Sequence, residues 1–260
     1  MHRIVPHVAC LALLIFATTS SSARGIRLVP SEPLRSTATV HEAHGRNGIL
    51  IRQKLRFGPY FTTEVKRGWI KSWSGATGVP GRWLIEEHRA KQAIQFSLSD
   101  GNDVVHAQTL SRSKSEDIIL GPNRNAAHNV AISILSVGSA RQASNFSARF
   151  VFASGGPEWQ LFLDNTAAQL HRREPAGFLE SETGFYSIVP VWRIQSRKGK
   201  MVNMPFGTAG FELQDEAGRA LAAVSLIDDG EVHLDESLNP QEKLLLSAAC
   251  SALLLQSNLD

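Results

Sequence analysis

The segment Pro240–Ser257, PQEKLLLSAACSALLLQS, decides the fold. From Leu244 to Leu255 every residue is apolar or small, and only Ser247 and Ser251 relieve the run. A surface helix carries one apolar stripe and one polar face. Here leucine or alanine falls on every face, so the helix must be buried all round. Asn239 supplies an N-cap and Pro240 a first-turn proline, which together set where it begins. The run falls short of the ~20 residues needed to span a bilayer, so protein is the expected surround.

Upstream, the chain reads as strands with short turns. In Ile49–Phe57, ILIRQKLRF, Ile51, Leu55 and Phe57 alternate with Arg52, Lys54 and Arg56. Gly58-Pro59 turns into a second strand that places Phe61, Val65, Trp69 and Trp73 on one face. Ser74–Gly81 reads as a glycine-rich loop, and Arg82–His88 as a third strand. Ala93–Leu98 and Val104–Leu110 flank the hairpin turn Asp100-Gly101-Asn102, and the polar stretch Ser111–Asp117 reads as a loop. Asn129–Val137, Asn145–Phe152 and Trp159–Leu163 follow. His171–Pro175 breaks the pattern, and Pro190 marks its strand as an edge or a bulge. Three last strands cover Gly210–Gln214, Arg219–Ile227 and Glu231–Leu234. The sum is about twelve antiparallel strands, with no helical period before Asn239. We therefore expect an all-β fold: a barrel closed about the apolar C-terminal helix. The alternative is a β-sandwich with the helix packed on one face.

The other end carries Arg3, an apolar core Val8–Ala17 and the small polar run TTSSSA, the pattern of a secretory signal cleaved near Ala23. Ten apolar residues are too few for a membrane anchor. Most of the apolar core lies after Cys10 rather than before it, which argues against a lipoprotein site. The expected organisation is a signal peptide at 1–23, a flexible leader at 24–47, and one barrel domain at 48–260 with its helix at 240–257. The mature chain has no transmembrane span and is exported, to a periplasm or outside the cell. Cys10 leaves with the signal, so Cys250 remains as a lone thiol inside the helix, where a small buried hydrophobe is the ordinary role.

Of 27 basic residues Arg3 also leaves, against 24 acidic ones, so the mature net charge is near neutral. No long basic run exists, and the footprint of a nucleic-acid binder is missing.

The strand count and the terminal block Gly210–Leu255 resemble the plan of the tubby-like barrels, which include tubby C-terminal domains, LURP-one-related proteins and phospholipid scramblases. The resemblance implies a barrel around a C-terminal helix. No phosphoinositide-binding or calcium motif of those families occurs, so it implies no functional residue.

Catalytic signatures are thin. His41-Glu42-Ala43-His44 is one residue short of HExxH, and the i,i+4 spacing that puts two imidazoles on one helix face is lost. Ser111-Arg112-Ser113-Lys114 matches SxxK, but the partner motifs SDN and KTG do not occur. Asp228, Asp229, Glu231, Asp235 and Glu236 lack EF-hand order, and Asp-Asp-Gly is ordinary turn chemistry. No catalytic residue, metal site or cofactor is expected.

Two features point to binding. One is the basic face Arg52, Lys54 and Arg56, joined by Lys66, suited to anionic lipid headgroups or glycans. The other is Trp69 and Trp73 with Trp83 around the glycine-rich loop, placed to line a ligand site, to rest on a membrane interface or to fill the barrel core. Asn145-Phe146-Ser147 is a glycosylation sequon. The reading is a non-enzymatic, lipid- or surface-binding module of the cell envelope. The competing reading is a secreted hydrolase using scattered groups such as Glu86, Glu87 and His88.

Overall fold

The computed structural model describes residues 25–45, 54–79, 83–120, 143–172, 174–205 and 207–256, without the side chains of 77–79, 83–86 and 116–120. The signal region, Arg52 and the strand expected at Asn129–Val137 lie outside the described residues.

The strands are β1 (Arg27–Leu28), β2 (Ala38–Glu42), β3 (Arg56–Phe57), β4 (Tyr60–Arg67), β5 (Lys71–Val79), β6 (Trp83–Ser99), β7 (Val104–Leu120), β8 (Ala143–Phe152), β9 (Trp159–Asp164), β10 (Gly177–Ser181), β11 (Gly184–Val191), β12 (Arg193–Gln195), β13 (Met201–Asn203), β14 (Gly210–Gln214), β15 (Ala220–Ser225) and β16 (Glu231–Asp235). The helices are α1 (Leu34–Thr37), α2 (Asn165–Leu170) and α3 (Pro240–Leu255).

Thirteen strands form one antiparallel sheet: twelve follow the order β2-β16-β15-β14-β11-β10-β9-β8-β7-β6-β4-β3, and β5 pairs with β6 off that path. Its two edges meet at a single bridge. His44 N–H donates to Arg56 O at 2.9 Å, and Arg56 N–H donates to His44 O at 3.0 Å. The result is a nearly closed barrel with α3 through it.

All twelve residues Leu244–Leu255 are buried. Phe57, Phe96, Phe146, Phe150, Leu161, Leu179, Ile188 and Phe211 from around the wall join them in one core. Asn239 caps the helix: its side chain accepts from Glu242 N–H, and the Glu242 carboxylate accepts from Asn239 N–H in return. At the far end, Arg67 donates to Leu255 O at 3.1 Å and to Gln92 Oε1 at 3.2 Å. A cation there complements the negative end of the helix dipole. Burial pushes the Cys250 thiol above its ordinary range.

The segment expected as a flexible leader is built into the wall. β2 pairs with β16 over five residues, and Ala43 N–H donates to Gly230 O. Ahead of it, the Ser31 backbone and hydroxyl both bond the Glu212 carboxylate, and Thr37 bonds Asp235. β1, β12 and β13 form a small second sheet. A separate apolar cluster of Leu28, Leu34, Val191, Ala209, Ala220 and Ala223 joins this segment to β15. β15 is therefore buried on both faces, which is why ALAAVS shows no alternation.

Pro190 lies in β11 beyond the last residue that β10 pairs, Ile188, so its missing N–H interrupts no ladder on that side. The break at His171 is the end of α2, a short helix the sequence pattern did not indicate; Asp164 caps it by accepting from Ala167 N–H.

Candidate anion-binding site

β6 and β7 are each 17 residues long, about twice what the barrel wall uses. The lower half of β6 pairs with β4, and its upper half with β5. The stretches expected as loops, Ser74–Gly81 and Ser111–Asp117, are therefore largely strand. β5, β6 and β7 rise beyond the barrel as a three-stranded arm. Ser72, Ser74 and His88 on one face are exposed, and so are Lys71, Trp73, Arg89, Lys91 and Arg112 on the other.

β4 and β5 are one path along β6 with an interruption. Between the pairs Arg67↔Ile94 and Lys71↔Lys91 lie three residues on one side and two on the other. Gly68 N–H still reaches Ala93 O at 2.8 Å, so Trp69 and Ile70 together oppose Gln92, as in a β-bulge. Trp69 is 92% exposed and Ile70 53%. A second irregularity between Thr62 and Glu64 shifts the alternation, so Phe61 faces out while Val65 packs on the core. The expected single face of Phe61, Val65, Trp69 and Trp73 does not form.

The register assembles a different basic face. Lys71, Lys91 and Arg112 are direct cross-strand partners, with Asn145 of the sequon next in the row. Two residues along lie Trp73, Arg89, Lys114 and Ala143. Direct partners and i,i+2 neighbours share a face, so five cations and one tryptophan stand in a grid spaced ~5 Å across the strands and ~7 Å along them. They line a shallow groove of about 490 Å³. The Trp73 ring lies over Gly75, where a Cβ would sit 2.3 Å from the ring, and the Arg89 guanidinium is 5.5 Å from the ring centroid.

Among the described side chains, one carboxylate serves this grid. Glu87 pairs with Arg89 at 2.5 Å and Lys114 at 3.3 Å. The hydrogen bond from Arg89, above all, holds its carboxyl below the usual range. Among the described residues, Lys71, Lys91 and Arg112 have no acidic partner.

The face expected from sequence is partly dispersed. Lys54 and Arg56 are exposed, and Leu55 and Phe57 point into the core as the alternation predicts. Lys66 turns to Glu64 at 2.8 Å. Trp69 and Trp73 are surface residues rather than core, with Trp73 55% exposed. The grid was signalled by two i,i+2 basic pairs, Arg89-Ala90-Lys91 and Arg112-Ser113-Lys114, the second hidden in what read as a loop.

The catalytic candidates do not converge. Glu87 and His88 point to opposite faces of β6. Ser111 is buried on the inner side of β7, and Lys114 stands on the outer. No group of three metal-ligating side chains occurs among the described residues. No helix among them is long and apolar enough to cross a membrane. No protein-family model, curated protein or solved structure matches this chain.

Proposed function

We propose that this chain is an exported, non-enzymatic binding module of the cell envelope, and that it docks on anionic lipid headgroups or anionic glycans through the outer face of its arm. One observation carries the reading. Lys71, Lys91 and Arg112 face each other directly across three neighbouring strands, with no carboxylate among them. Like charges placed so are destabilising in a sheet. A bound phosphate, sulfate or carboxylate would relieve the repulsion, and Arg112 can grip such a group in bidentate fashion. Trp73 offers an amphipathic ring beside the charges, as at bilayer interfaces and sugar sites. Export rests on the signal pattern of Met1–Gly25. The tubby-like resemblance enters this proposal only as a likeness of plan, a barrel about a C-terminal helix, and lends it no functional residue.

The test compares the mature protein with the triple variant Lys71→Gln, Lys91→Gln, Arg112→Gln. Both are offered acidic phospholipid vesicles, neutral vesicles, and beads bearing a sulfated or a neutral glycan. The native chain should bind an acidic surface at low salt and release it at high salt, and the variant should not bind. Equal binding by both proteins, or by neither, refutes the reading.

A further inference from the structure

A second open groove of about 630 Å³ lies on the barrel wall and has the opposite character. Phe162 and Phe178 are cross-strand partners on β9 and β10, and Phe185 of β11 sits diagonal to Phe178. Ring centroids are 5.8 and 6.3 Å apart, so the three rings make a continuous apolar floor. Phe162 and Phe185 are 37% and 40% exposed. The end of β14 and the turn after it close one side with Gln214, Asp215 and Glu216, and no basic residue lines the groove among the described residues. Arg219 holds Asp215 at 3.2 Å. Glu216, and Glu180 one row along, are exposed and have no cationic partner among the described residues.

The arm edge is its converse. Trp69 and Ile70 in the bulge and Trp73 in the edge strand β5 are exposed beside Lys71, which has no acidic partner among the described residues. Each patch is exposed apolar surface with a charge beside it that has no opposite partner among the described residues: Lys71 at the arm, Glu216 at the groove. Apolar patches of this kind mark interaction sites.

We propose that the phenylalanine groove of one copy receives the Trp69–Trp73 edge of a second copy, with Lys71 set against Glu216. The inference rests on the reading of the arm as a docking element and names a partner for it. The two patches differ, so the contact is heterologous: each added copy leaves one arm and one groove free, and association continues with concentration. An anionic surface that engages the arm competes with the groove for it. Binding to that surface and self-association therefore oppose each other, reciprocally.

The experiment is sedimentation velocity on the full mature chain over rising concentration at low and high salt. Expected are larger species at high concentration, dissolved by salt and by a soluble polyanion. Lys71→Glu alone and Glu216→Lys alone should each weaken association about tenfold or more, because each sets like charges together. Mixing the two variants should restore it, since every arm then meets a groove of opposite sign. Both sites are exposed, so folding is unaffected, and recovery on mixing excludes a mere structural loss. A monomer at every concentration, association indifferent to both variants, or no recovery on mixing overturns the proposal. Glu216→Lys leaves the arm intact and should keep vesicle or glycan binding. A wild type that binds the acidic surface yet stays monomeric at every concentration refutes only the groove contact. Association without any surface binding refutes only the anionic-surface reading.

Discussion

β6 runs through two environments without a break. From Ile94 to Leu98 every second side chain is buried against α3, while Arg89 and Lys91 and, on the other face, His88 all stand in the arm near water. The backbone pairing is the same in both halves. What changes is burial: one face in the barrel, neither face in the arm. The barrel half thus draws stability from packing on the helix, at roughly 25 cal/mol per Å² of apolar surface removed from water. The arm half is held by its ladder and presents Lys71, Trp73, Lys91 and Arg112 to the outside.

The largest effect should come from the element that separates these halves. Ala249 lies at the centre of the buried helix with no exposure. Ala249→Asp puts an unpaired charge there, costing on the order of 3–5 kcal/mol. Chains cut before Asn239 should fail to fold for the same reason. Urea titration followed by circular dichroism checks both. An unchanged transition in the truncated chain would mean that the barrel stands without its helix.

Two glycines sharpen the contrast. A Cβ on Gly177 would lie 2.1 Å from Phe162 O, in the backbone of a neighbouring wall strand. A Cβ on Gly75 in the arm would meet only the tip of the Trp73 side chain. Gly177→Ala should cost ~1–3 kcal/mol, as overpacking does. Gly75→Ala should leave the melting temperature nearly unchanged and instead alter Trp73 fluorescence. Equal losses at both positions would show that the arm is packed as tightly as the wall.

The same contrast governs how much the sequence reveals. Period-2 alternation is a record of one-sided burial. Where the wall has a core side and a water side, as in Ala143–Phe152 and Trp159–Asp164, the strands were legible. So was α3, whose apolar surface on all sides allows only one surround. Ser111–Asp117 is polar throughout and carries no apolar alternation, so it looked like a loop although it is strand. β15 has no exposed face, and its alternation vanished for the opposite reason. The leader carried no period because β2 is a short strand at the seam. The basic grid needed the register: Lys71, Lys91 and Arg112 are far apart in the chain and become neighbours only when β5, β6 and β7 are aligned.

The seam where β2 meets β3 carries a titratable group. His41 faces Tyr60 edge-on with centroids 6.4 Å apart, and sits against Gly58, whose φ of 51° suits glycine. Burial, and then the neighbouring His233, lower the His41 pKa below 6.5. The native state therefore binds this proton less readily than the unfolded chain does. Its contribution is fully present above pH 6.5 and is lost as pH falls through 6.5 towards the depressed native value. Melting temperature should drop between pH 7.5 and 5, and the drop should be smaller in His41→Gln. An identical pH dependence in that variant would assign the effect elsewhere.

The smallest stability effect belongs to the arm, and its smallness is the point. Removing Lys71, Lys91 and Arg112 takes nothing from the core, because all three residues stand exposed on the outer face of the sheet. Surface substitutions of this kind usually stay within about 0.5 kcal/mol. Here the sign should also invert: relieving three like charges set side by side should raise the melting temperature slightly at low salt, and the gain should fade as the Debye length shortens to ~3 Å at 1 M. A variant that is no less stable yet no longer binds an acidic surface separates the two roles of β6 and β7 along their length. A clear destabilisation would mean instead that the cations already have partners in the native fold, and the arm would then be part of the scaffold.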